Sequence, residues 1–254
     1  MNKKLKIQIT GIGMLLMSFV SVYGRGPQQW LDISKDSLSA TMEALNSHFA
    51  HMHNYSVKVT DESFASYTAS TFHQKFSGYF KRDGESFHSY LGDVNTIQNK
   101  DYRISVDSVK KIIMISDPVD YLNQILTASD YSALLKVCTK VKISHTGDQS
   151  SYRLEFASGY PMIAYEITLK DSLPEKIVIY YSKAVKGANE NISAKPRMEI
   201  YFNNWVTNAK VPKSEFNAEK YLSKQGNKFI LNPPYSAAKY KLLDERVLTR
   251  KNKK

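Results

Sequence analysis

From Asp101 to Pro118 the chain reads DYRISVDSVKKIIMISDP, one β-hairpin running into a helix start. Tyr102, Ile104 and Val106 alternate with Arg103, Ser105 and Asp107, the period of two of a half-buried antiparallel strand. The polar turn from Asp107 to Lys110 returns the chain as Ile112 to Ile115, a continuous apolar run that needs cover on both faces. Asp117 is a good helix cap and Pro118 sits where a helix needs no N–H. The hairpin is therefore expected to hand the chain directly to its own helical cover.

At the N-terminus, Lys3, Lys4 and Lys6 precede an apolar run from Ile7 to Val20 and compact residues up to Gly24. This is the pattern of a Sec-type signal peptide over residues 1–24, cleaved near Gly24. The run is interrupted by Gln8, Thr10 and two glycines and is short for a bilayer core that needs roughly 20 apolar residues. The mature protein is expected in the periplasm, as a single domain over residues 25–247 with a basic tail over 248–254. The net charge is +11, with three positive charges on the leader lysines and more on Arg250, Lys251, Lys253 and Lys254. Such a tail is either a peripheral contact for anionic membrane or a solvated, disordered end. Other Lys and Arg residues alternate with acids, which together with export argues against a nucleic-acid partner. Cys138 is the only cysteine, so no intrachain disulfide can form, and it reads as a small buried hydrophobe.

Between leader and tail, Ser34 to Met52 is a helix whose Leu38, Met42, Leu45 and Phe49 form one apolar stripe. His48, His51 and His53 gather at its end, but no carboxylate or cysteine joins them at helical spacing, and a solvated helix terminus is expected rather than a metal site. From Tyr55 the period becomes two. Val57 and Val59 are followed by a long strand in which Phe72, Phe76 and Phe80 share a face and Gly78 eases a bend. Asp83-Gly84 turns the chain into Glu85–Leu91, and Asp93–Lys100, polar and without period, reads as a loop. After the hairpin come two short helices, one with Val119, Leu122, Ile125 and Leu126 and one with Tyr131, Leu134, Leu135 and Cys138. Strands resume at Val141–Ile143, Tyr152–Phe156, Ile163–Leu169, Ile177–Tyr181 and Met198–Phe202, with a polar loop from Val185 to Pro196. Tyr240 to Val247 reads as a final edge strand or a helix. The sum is an α+β fold: an incomplete antiparallel β-barrel, a curved meander sheet of nine or ten strands, covered by about three helices.

This order of elements resembles the periplasmic lipoprotein-carrier family, the LolA/LolB-like fold. The resemblance rests on Phe76-Ser77-Gly78-Tyr79-Phe80-Lys81, on the Tyr102–Pro118 hairpin and on the strand pair Met162–Leu169 with Glu175–Tyr181. It also rests on the terminal pattern Ser214-Glu215-Phe216, Lys220-Tyr221, Phe229-Ile230-Leu231, Tyr235, Tyr240 and Leu243-Asp244-Glu245-Arg246. The resemblance implies a half-barrel closed by helices around an apolar cavity for acyl chains. The lining expected here is Phe76, Phe80, Ile104, Val106, Ile113, Ile115, Leu122, Ile125, Leu126 and Ile167. These side chains either close on one another as an ordinary core or leave room for a lipid.

No G-x-S-x-G elbow, H-E-x-x-H, phosphate-cradling glycine loop or C-x-x-C is present, and the acids Asp107, Glu155 and Glu166 are scattered on polar strand faces. The chain is read as a non-enzyme with no cofactor. The expected function is a periplasmic lipid- or lipoprotein-binding carrier or sensor that holds acyl chains between sheet and helices. The alternative is an envelope protein-interaction or stress-sensing module on the same fold, without bound lipid and with an outer-membrane or envelope protein as partner.

Overall fold

The structure, a computed structural model, describes residues 29–119, 128–183, 195–226 and 228–246. The expected leader, the helix with Leu122, Ile125 and Leu126, most of the Val185–Pro196 loop and the basic tail lie outside the described residues.

A short strand β1 (Leu31–Ile33) leads into helix α1 (Lys35–His51). A meander follows: β2 (Asn54–Phe64), β3 (Gln74–Asp83), β4 (Ser86–Leu91), β5 (Val94–Gln98), β6 (Arg103–Asp107) and β7 (Ile112–Ser116). Helix α2 (Ala128–Val137) precedes a second meander of β8 (Cys138–Thr146), β9 (Gln149–Phe156), β10 (Met162–Lys170), β11 (Leu173–Tyr181) and β12 (Arg197–Thr207). Two 3-10 turns, Lys213–Phe216 and Ala218–Lys220, introduce the hairpin of β13 (Leu222–Gln225) and β14 (Lys228–Leu231), and β15 (Lys241–Asp244) is the last strand of the described chain.

Thirteen strands form one sheet in the order β1-β8-β9-β10-β11-β12-β2-β3-β4-β5-β6-β7-β15. The two meanders join where β12 pairs antiparallel with β2, and β15 alone runs parallel to its neighbour β7. The sheet does not close, because β1 and β15 remain its two edges. It is nevertheless curled. One apolar cluster holds the α1 stripe together with residues from β8 through β12 and β2 through β4. Laid flat, those eight strands would span about 34 Å, whereas a helix with its side chains is about 10 Å across. At Gly78 the backbone of β4 comes very close to β3: a Cβ there would stand 1.7 Å from the carbonyl oxygen of Tyr90 on β4. Only a residue without a side chain allows β3 and β4 to fold together so closely.

Helix α1 forms where its stripe was expected. The Ser34 hydroxyl oxygen accepts the Ser37 N–H at 3.1 Å, and Leu38, Met42, Leu45 and Phe49 are buried on the sheet. Each of those side chains contributes about 1.5–3 kcal/mol by leaving water. Lys35 donates to the carbonyls of Leu135 at 2.8 Å and Cys138 at 2.7 Å, so a cation from the start of α1 satisfies the C-terminal end of α2.

Two expectations are corrected. Asp93–Lys100 contains strand β5 rather than a loop. Its alternation is hidden because Thr96 and Gln98 face a polar part of the inner surface, which leaves Ile97 alone to signal the outer one. Two of the three expected α-helices stand among the described residues, and the one with Leu122, Ile125 and Leu126 lies outside them. Finally, the cover over the Asp101–Pro118 hairpin comes from the far end of the chain. Ile104, Val106, Ile113 and Ile115 pack with Ala218, Tyr221 and Leu222, and with Phe229, Leu231, Tyr235, Tyr240 and Leu242 around them.

Candidate functional site

Strand register divides the sheet into cross-strand rows, whose members share a face. On the inner face, which carries α1, one row runs Ile143, Tyr152, Ile167, Ile177, Ile200, Asp61, Phe76 across seven strands. The next runs Val141, Leu154, Tyr165, Ile179, Met198, Ser63. Where α1 lies, these rows are closed: Leu154, Ile167 and Ile177 are fully buried. Toward the β11–β12 pairing, β2 and β3 they are not. Phe76, Leu91, Ile179, Met198 and Ile200 remain half-buried and form an apolar trough. The β4–β5 turn bounds it, with Gly92 so near the Phe76 ring that a Cβ would stand 2.7 Å from it.

At the other end of the same strands the inner face turns polar. Tyr55, Arg82, Phe87, Gln98, Arg103 and Ser116 make a row. The first four line a cavity of about 340 Å³ together with Gly84, Glu85, Asn99, Lys100, Pro118 and Val119. Arg82 donates to the Gly84 carbonyl at 2.8 Å, and the Val119 N–H donates to Gln98 Oε1 at 2.9 Å. The cavity is therefore lined by two aromatic rings, the cations Arg82 and Lys100 and the acid Glu85, and its size lies within the range of small-ligand pockets.

The structure separates the expected lining residues. Phe76, Phe80 and Ile167 lie on the inner face. Ile104, Val106, Ile113 and Ile115 lie on the outer face, because Phe80 pairs through Ser89 and Thr96 to Ser105 and Met114, the opposite phase of β6 and β7. Those four form a second core under the C-terminal segment, not a wall shared with Phe76. Leu122, Ile125 and Leu126 lie outside the described residues. Sequence reasoning does not single out Asp61, Ile200, Met198, Tyr55 or Phe87 for this face. For Asp61 a signal exists, since it continues the alternation of Val57 and Val59 and so places an acid in apolar phase.

Asp61 is the one charged side chain of its row. Its Oδ1 is buried without a hydrogen-bond partner among the described residues, and burial pushes its carboxyl pKa up. On the outer face charges are paired instead. Glu199 meets Lys176 at 2.7 Å, Arg197 at 2.6 Å and the Tyr201 hydroxyl, and its pKa is lowered to about 2 as these contacts overcome its burial. Buried His88 faces Glu215 at 3.0 Å and Asn95 at 2.9 Å. Burial lowers its pKa while both partners work against the shift. Cys138 is buried and its thiol pKa is raised by that burial. His51 bonds the Ser47 carbonyl at 2.6 Å, and no group of three metal-ligating side chains is assembled among the described residues.

No family model and no curated protein matches the chain. Among solved structures it is similar to an uncharacterized conserved protein from Thermus thermophilus, with 8% identity, a TM-score of 0.43, and 82% of this chain and 99% of that one covered. A LolA superfamily protein from Nitrosomonas europaea follows at 7% identity and a TM-score of 0.33, covering 74% of this chain and 99% of that one. A putative outer membrane lipoprotein-sorting protein domain from Vibrio parahaemolyticus has 7% identity and a TM-score of 0.32, with 73% and 98% covered. A likeness of this degree assigns no role to any residue.

Proposed function

We propose that this protein is an exported, periplasmic carrier or sensor of lipid or lipoprotein acyl chains, held on the inner face of the curled sheet beside α1. The observation that carries the reading is the half-buried stretch Phe76, Ile179, Met198 and Ile200, which continues the rows that α1 closes, with half-buried Leu91 on the same face. Each methylene laid on such a surface gains about 0.8 kcal/mol.

Solvent extraction of the purified protein followed by mass spectrometry is expected to release an acyl lipid. A fluorescent fatty-acyl probe is expected to bind the emptied protein, and Met198→Trp, which fills the trough, to weaken that binding at least tenfold. A lipid-free extract together with no probe binding overturns the proposal.

A further inference from the structure

Asp61 lies between Ile200 on β12 and Phe76 on β3, in a row otherwise made of aliphatic and aromatic side chains. Its Oδ1 is out of solvent and accepts no hydrogen bond within the described residues, and no cation stands against it there. The titratable group that faces it is Tyr181, itself raised in pKa by burial first and by Asp61 second. A buried carboxylate oxygen without a donor costs free energy for no gain in the fold. The β12–β2–β3 rows would pack better with a valine. The feature makes sense where a donor arrives from outside, and the side chains beside Asp61 are the half-buried ones of the trough.

We infer that Asp61 is the polar anchor of the trough: it accepts a hydrogen bond from an ammonium or hydroxyl group at the head of a bound amphiphile and selects such molecules over those with an anionic head. The inference rests on the acyl-binding reading and names its ligand chemistry. A single-chain amine or alcohol fits, with its chain over Phe76, Met198 and Ile200 and its donor on Asp61. A fatty-acid carboxylate brings a second negative charge to a site with no cation among the described residues, and is disfavoured.

The test displaces a fluorescent fatty-acyl probe from the purified protein with dodecylamine, dodecanol or laurate at pH 7, each below its micelle concentration. Dodecylamine is expected to compete at least tenfold better than laurate. Asp61→Asn is expected to reduce that preference to less than threefold. Asp61→Val is expected to unfold no more easily than the native chain, a result that a purely structural role for Asp61 would reverse. If laurate competes as well as dodecylamine, or Asp61→Asn keeps the preference, the anchor role is refuted while acyl binding stands. If neither the probe nor any competitor binds, both fail.

Discussion

Replacing Glu199 with Gln tests the outer face, where the sheet carries its strongest electrostatic arrangement. The Glu199 side chain is 8% exposed and held by Lys176, Arg197 and the Tyr201 hydroxyl. Arg197 in turn donates to the carbonyls of Ser66 and Tyr67 and covers the Phe64 ring, so the carboxylate also fixes the β2–β3 connection. Its pKa falls from 4.5 to about 2 on folding. A depressed carboxylate contributes stability that is fully present above its unfolded pKa and is lost as pH falls through the folded value, here between about 4.5 and 2. The linkage amounts to about 3 kcal/mol, and about 2 kcal/mol after allowance for solvent screening at a sheet surface. Glu199→Gln is expected to lower the free energy of urea unfolding by about 2 kcal/mol at pH 7. The gap should narrow to a little over half of that at about pH 3.5, where the unfolded chain already binds the proton that the folded carboxylate still refuses. Equal stability of the two proteins at pH 7, or a gap that does not narrow in acid, refutes the assignment of the pKa shift to this cluster.

Gly78→Ala is expected to cost about 3 kcal/mol or to abolish soluble expression, because its Cβ meets the Tyr90 backbone; thermal unfolding measures it. Leu45→Ala should cost about 2–5 kcal/mol in urea unfolding, since Leu45 sits in the core between α1 and the sheet. Acid should loosen the C-terminal segment, which Glu215 ties to Lys81 and His88, each at 3.0 Å. His88 has a lowered folded pKa and so loses stability as pH falls below about 6.5, and Glu215, depressed first by Lys81, loses it below about 4.5. Limited proteolysis of residues 213–231 is expected to quicken from pH 7 to pH 5 in the native chain, and Glu215→Gln to be cut quickly at both.

The curled α+β sheet and α1 were legible because their signals are local. Leu38, Met42, Leu45 and Phe49 mark a helix face, and Val57 with Val59 marks a strand, whatever lies elsewhere. Which face of a strand meets which partner is not local. Ile104 and Phe80 both alternate correctly, yet three strand pairings separate them, and the phase between them depends on register across Ser89 and Thr96. That is why Ile104, Val106, Ile113 and Ile115 were expected in one wall with Phe76 and instead cover the opposite face. Strand β5 escaped notice for a related reason, since both of its faces mix polar and apolar neighbours. The apolar phase of Asp61 was visible, but its isolation is a property of two neighbouring strands that the linear chain does not display.

The parallel pairing of β15 on β7 has a consequence for biogenesis. β7 ends at Ser116 and its partner begins only at Lys241, so a chain emerging N-terminus first carries a bare sheet edge while its whole second half is still being delivered. Through that interval the uncovered Ile113 and Ile115 make a sticky template for other chains. A chain made in this order depends on an escort, or on speed of delivery, until β15 docks.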